Sequence, residues 1–152
     1  MDDLALMRQA VDQARAGLDE GGVPIGAVLV GGDGTVLGAG RNRRVQQGSV
    51  IRHGETDCLE NAGRQPATVY RETTLYTTLS PCTMCAGTIL LYKIPRVVVG
   101  ENRTFEASED WLRSHGVKVD VLDLAECVDL MDTFIARYPE IWNEDIGEVE
   151  GR

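Results

Sequence analysis

Two cysteines stand three positions apart behind a proline in "SPCTMC", and a histidine stands two positions before a glutamate in "RHGET". A Cys-x-x-Cys alone fits either a redox pair or a metal site. A structural four-ligand knuckle would need a second close pair, but the other cysteines, Cys58 and Cys127, are far apart and fall on apolar helix faces. They read as core residues, buried like small hydrophobes. A redox pair would be expected after an opening strand of a βαβ unit, whereas Cys82 and Cys85 follow the third predicted strand. The leading reading is therefore a metal site with an open coordination position. Of the two histidines, His115 falls at a helix end, where a solvated side chain is the ordinary outcome, so His53 is the candidate third ligand. Ligation by His53, Cys82 and Cys85 leaves a fourth tetrahedral position for water, and two thiolates balance the charge of Zn2+.

Glu55 completes the set. A carboxylate beside such a water can take its proton and redeliver protons to a ring nitrogen and a leaving amine. His-x-Glu together with Pro-Cys-x-x-Cys is the pattern of zinc deaminases, in which the glutamate is not a ligand. The plainer reading of Glu55, an acidic residue favoured near a helix N-terminus, coexists with this one. Cys82 near the start of a helix gains thiolate character from unpaired amides, and the i, i+3 spacing brings Cys85 to the same side. With His53 opening the facing helix, the metal lies between two helix N-termini.

The elements that must position these residues are legible as periodicities. Leu4, Met7, Val11, Ala14 and Leu18 draw one apolar stripe down a helix from about Asp3 to Leu18. "IGAVLV" and "TVLGAGRN", joined through "GGDG", read as an antiparallel hairpin. "TTLYTTL", "RVVVG" and "VKVDVLD" add three strands. "GETDCLENAGR", "CTMCAGTILLYK", "EDWLRSHG" and "LAECVDLMDTFIARYPE" read as helices between and after them. Alternation after the hairpin implies parallel crossovers. The expected fold is an α/β, three-layer α/β/α sandwich with a central five-stranded mixed sheet.

At 152 residues the chain suits one domain, expected over 1–152. No apolar run approaches the ~20 residues of a membrane span, so no membrane partner is expected. Two early aspartates argue against a secretory signal, and free thiols suit a reducing cytoplasm. A net charge of −9 disfavours a nucleic-acid partner. The basic cluster Arg41, Arg43, Arg44 and Arg52 runs against that trend; it reads as a solvated or interface face, able to meet a phosphate or an acidic neighbour.

"GGVPIGAVLV", "GRNRRVQQGS", "RHGETDCLENAGR", "TTLYTTLSPCTMCAG", "IPRVVVGEN" and the tail "IWNEDIGE" together resemble the cytidine deaminase-like superfamily and, more narrowly, the yeast-type cytosine deaminases. The resemblance spans nearly the whole chain. It implies a homodimer converting free cytosine to uracil and ammonia in pyrimidine salvage, with one zinc on His53, Cys82 and Cys85 and Glu55 as proton shuttle. It also implies that Asn42 bonds the pyrimidine and Asp145 accepts from the exocyclic amine. From residue type alone Asn42 reads as a turn residue. Backbone groups of Gly54 and Leu79 would complete the base pocket, with Phe105 and Trp142 covering the ring. A C-terminal lid is expected over about 139–152, although a frayed acidic tail is the plainer alternative. Asn143 departs from the pattern, since an aromatic residue follows the tryptophan in the yeast-type proteins; this puts substrate breadth in question. The competing functions are a guanine or other aminopurine deaminase, a tRNA adenosine deaminase, and a non-catalytic zinc module.

Overall fold

The computed structural model describes residues 2–150. Its elements run α1 (Asp3–Asp19), β1 (Gly26–Val30), β2 (Val36–Arg41), α2 (Arg44–Gln47), α3 (Gly54–Ala62), α4 (Ala67–Tyr70), β3 (Thr74–Leu79), α5 (Thr83–Tyr92), β4 (Arg96–Glu101), α6 (Glu109–Ser114), β5 (Lys118–Val121), α7 (Ala125–Arg137) and α8 (Pro139–Asp145). The strands form one sheet in the order β2-β1-β3-β4-β5. β1 pairs antiparallel with both β2 and β3, whereas β3, β4 and β5 are parallel. The mixed five-stranded sheet agrees with the alternation of strand and helix patterns.

Successive strand side chains point to opposite faces, and the two faces carry different cores. Ala27, Leu29, Leu75, Val97 and Val99 pack with Cys58 of α3 and Ala86 and Ile89 of α5. Val28, Val30, Tyr76 and Val98 pack with Met7, Ala10, Val11 and Ala14 of α1 and with Cys127 and Leu130 of α7. Each fully buried residue of Val or Leu size contributes about 1.5–3 kcal/mol of transfer free energy. The apolar stripe of α1 is displaced from the expected one: Leu4 is 51% exposed, and Ala10 and Gly17 belong to the buried face instead. α1 lies so close to β1 that a Cβ on Gly26 would run into the Ala10 carbonyl, and a Cβ on Gly40 of β2 would meet the α3 backbone at Cys58. These glycines let two helices sit directly on the hairpin from its two sides.

The last helical segment differs from its expected form. The apolar spacing runs on through Arg137, but the chain breaks at Tyr138 (φ −135°, ψ 61°) and restarts as α8 with Pro139 at its first position. Proline has no amide to continue the α7 hydrogen-bond ladder, yet it suits a first helical turn. Residues 139–145 are thus a separate short helix, and the last two residues of the expected lid lie outside the described part.

Candidate active site

The parallel strands β3 and β4 carry the site at their carboxyl ends. β3 ends at Leu79, and Ser80, Pro81 and Cys82 lead directly into α5, with Cys82 as its extended N-cap residue (φ −73°, ψ 175°). His53 caps α3 in almost the same conformation (φ −74°, ψ 171°), and its amide donates to Thr56 Oγ1 at 2.9 Å. Both helix N-termini therefore aim their unpaired amides at one spot, which favours anionic ligands there.

His53 Nδ1 lies 3.4 Å from Cys82 Sγ and 3.7 Å from Cys85 Sγ. Zinc bonds of about 2.3 Å to sulfur and 2.0 Å to nitrogen, at tetrahedral angles, place such ligand atoms about 3.5–3.8 Å apart. The donor set fits zinc in type and in spacing, with all three ligand atoms within 4.8 Å of one another. The thiols are already polarised: hydrogen bonding from Cys85 first, and then His53, against burial, lowers Cys82 to about 4. Sharing that proton, together with burial, raises Cys85 well above its ordinary value. Metal uptake displaces the remaining protons.

Glu55, in the first turn of α3, is 5% exposed. Burial first, and then the Cys82 thiolate, pushes its carboxyl up to about 7, with His53 pulling the other way. A carboxyl poised there can both accept and return a proton near neutrality.

Opposite these residues, the Asn42 side-chain amide donates to Asp145 Oδ1 at 2.8 Å. Asp145 Oδ2 stands 3.5 Å from His53 Nε2, and Arg44 approaches Oδ1 at 3.7 Å. Burial raises the Asp145 carboxyl above its ordinary value, against the pull of His53, Asn42 and Arg44. A small cavity of about 20 Å³ is lined by Ile25, His53, Glu55, Leu79, Cys82 and Asp145, with Ser80, Ile146 and the rings of Phe105 and Trp142. The two rings meet edge to face, with centroids 6.1 Å apart. Asn42 and Gly54 are not in this lining. Asn42 reaches the site through Asp145, and Gly54, at the start of α3, packs on Ile25.

His115 closes α6 at the surface beside Ser114 and Trp111, remote from the metal ligands. Cys58 and Cys127 are buried in the two cores. The basic cluster meets acidic neighbours: Arg41 binds Glu20, Arg43 and Arg52 bind Asp57, and Arg44 binds Glu144 and Asp145. Residue patterns missed Ser80, Ile25 and Ile146 in the lining. They also missed Glu109, buried on α6, which accepts from Ser80 Oγ at 2.6 Å and from Asn102 Nδ2 at 3.3 Å. Ser80 adjoins the cysteine motif and could have been found by that proximity; nothing local marks Glu109.

The family model for the cytidine and deoxycytidylate deaminase zinc-binding region matches residues 1–101. A cytosine deaminase of Candida albicans is 52% identical over 147 residues, covering 97% of this chain and 98% of the relative. A tRNA-specific adenosine deaminase of Streptococcus pyogenes is 34% identical over 139 residues, covering 84% of this chain and 86% of the relative. A solved structure from work on A-to-I editing by tRNA:A34 deaminases superimposes with a TM-score of 0.67 at 30% identity, covering 80% of this chain and 99% of that one. A guanine deaminase from Nitrosomonas europaea shares the fold, with a TM-score of 0.70 at 20% identity and coverage of 90% and 85%. On the family match and on these identities, the chain belongs to the cytidine and deoxycytidylate deaminase family.

Proposed function

We propose that this protein hydrolyses free cytosine to uracil and ammonia. The observation that carries the reading is Asp145, held by Asn42 at 2.8 Å and sharing one lining with His53, Glu55, Cys82 and the rings of Phe105 and Trp142. The 52% identity to a cytosine deaminase supports the same choice of base. Held by His53, Cys82 and Cys85, zinc supplies a water that is a strong nucleophile near neutral pH.

The chain's own residues do the rest. Asp145 accepts from the exocyclic amine of the base, and Asn42, bonded to Asp145, fixes the direction of that carboxylate and serves the pyrimidine edge. Glu55 takes one proton from the attacking water and passes it to the ring nitrogen, then carries the second proton, from the hydroxyl so added, to the departing amine, so water and cytosine leave as uracil and ammonia. Leu79 and Gly54 border the base with backbone groups. Phe105 and Trp142 cover it, and the segment that begins with α8 acts as a lid whose opening admits base and releases product. Asn143, in place of a second aromatic, leaves that lid less apolar.

The 52% identity to a cytosine deaminase, against 34% to a tRNA-specific adenosine deaminase and 20% to a guanine deaminase, favours a free pyrimidine over a purine or a base presented on a tRNA. The net charge of −9 also opposes an extended phosphate interface. Further parts of the reading are a single deaminase unit per chain, a role in pyrimidine salvage and a cytoplasmic, reducing setting, which suits four free cysteines. Among the described residues no helix is long and apolar enough to cross a membrane. Pairing of two copies is supported by exposed Val50, Ile51, Leu91 and Tyr92, with Ile51 and Tyr92 lining a cavity of about 650 Å³ away from the metal ligands.

Zinc-loaded protein incubated with cytosine and, separately, guanine tests the reading through ammonia release. Turnover of cytosine is expected; turnover of guanine alone overturns the assignment in favour of an aminopurine deaminase.

A further inference from the structure

A buried carboxylate that touches neither the metal ligands' side chains nor the base pocket stands one helical turn beyond His53. Asp57 on α3 is 0% exposed, and donors meet it from two other segments. Its Oδ2 accepts the backbone N–H of Arg41 at 2.9 Å and the Nε–H of Arg43 at 3.0 Å. Its Oδ1 accepts the Nε–H of Arg52 at 2.6 Å, and Asn61 adds a longer contact to Oδ2 at 3.4 Å. The order of these donors along the chain gives the network its meaning. Arg41 and Arg43 flank Asn42, whereas Arg52 immediately precedes His53. The Arg43 amide also donates to the Arg52 carbonyl at 2.9 Å, so the two segments are joined by backbone as well.

Burying an ionised carboxylate is unfavourable unless its lone pairs are met, and removing a donor leaves a charge uncompensated. Neither segment can therefore shift without unpairing Asp57. Burial pushes this carboxyl up, but the Arg41 amide and the Arg52 and Arg43 guanidinium groups outweigh it and hold it below its ordinary value. Between the flanking residues stands Asn42, whose side chain reaches the site through its 2.8 Å hydrogen bond to Asp145.

We propose that Asp57 is a positioning residue for base recognition: it clamps the residues on either side of Asn42 to the His53 segment, and so sets where Asn42 meets Asp145. The proposal deepens the base-deaminase reading and rests on it. It assigns Arg43 and Arg52 to the same clamp.

The test is Asp57→Asn, which keeps the side chain's shape, studied in the zinc-loaded protein and combined with Asn42→Ala. Zinc content should stay unchanged, while the Asn42 side-chain amide signals in a nitrogen-15 spectrum shift and exchange faster. The value of kcat/KM for cytosine should fall about 10-fold or more, mostly through KM. In the Asn42→Ala background the same change should cost less than about twofold, because its route to the base is already gone. Unmoved Asn42 signals, or an equal loss in both backgrounds, overturn the proposal, since a merely structural carboxylate would act independently of Asn42. Should Asp57→Asn fail to fold, Arg43→Gln removes one arm and leaves Asp57 paired by Arg52 and the Arg41 amide. A smaller amide shift then supports the clamp, and no shift overturns it. The amide readout needs no turnover, so an inactive wild type would count against the cytosine reading alone.

Discussion

The two sides of the pocket are built differently. On the metal side, His53, Glu55, Cys82 and Cys85 come from the first turns of α3 and α5, two helices that pack on the same face of the central sheet. On the base side, Asn42 and Asp145 are 103 positions apart, and the rings of Phe105 and Trp142 come from the segment after β4 and from the short α8. The metal side inherits its geometry from helix starts that the core cannot easily move. The base side depends on contacts among peripheral segments, which is where binding specificity is readily varied while the scaffold stays fixed. Chemistry and recognition should thus fail separately when each side is disturbed.

The largest separation is expected for Glu55→Gln. The amide keeps the shape of the first turn of α3 but cannot cycle a proton, so kcat should fall about 10²–10⁴-fold while zinc content and cytosine binding persist. Metal analysis beside steady-state kinetics reads this directly. Retained activity would break the assignment of proton transfer to the metal side.

Trp142→Ala disturbs the other side. Trp142 is 4% exposed and packs with Val23, Ile25, Leu79, Met131 and Phe134 as well as edge-on to Phe105. Truncating a buried aromatic of this kind costs about 3–5 kcal/mol of local packing. The cost should fall on α8, seen as faster amide exchange over 140–145, with KM for cytosine raised about tenfold and zinc content unchanged. A loss of zinc instead would show that the two sides are not independent.

The same contrast decides what could be read without coordinates. His53, Glu55, Cys82 and Cys85 announce themselves because metal chemistry imposes residue types at helical spacings, and helix starts are local. The strands were legible for a similar local reason: β1, β3 and β4 are buried along almost their whole length and read as short apolar or β-branched runs. Asp57, Arg44 and Glu109 were not, because a buried charge looks like any surface charge until its distant donors are placed around it. The arginines of "GRNRRVQQGSVIR" read as a solvated or interface face, or as partners of an acidic neighbour; which acids they meet is decided by tertiary packing. The exposure of Leu4 was hidden in another way, since it continues the apolar spacing of its helix and only packing leaves it outside, whereas the break at Tyr138 is marked locally by Pro139.

The smallest effect, and the control for both sides, belongs to the far end of the sheet. There Arg96, at the start of β4, grips Asp3 of α1 at 2.8 and 3.0 Å and reaches Asp120 of β5, while Tyr76 Oη donates to Asp3 at 2.6 Å. The Arg96 hydrogen bonds first, against burial, and then Tyr76 lower the Asp3 carboxyl to about 2. Because the folded value lies below the unfolded one of about 4, the stabilisation is complete above pH ~4 and is lost as the pH falls towards ~2. Asp3→Asn should therefore lower stability at neutral pH by about 1 kcal/mol, a modest figure for a pair open to solvent, and the difference from wild type should shrink across that acidic window. Denaturant midpoints measured at neutral pH and near pH 3 give the comparison. KM, kcat and zinc content should all stay unchanged, because Asp3 touches neither helix start of the metal side nor any segment of the base side. A change in KM alone would mean that α1 transmits strain to the hairpin carrying Asn42, and that the clamp at Asp57 is softer than its donors imply.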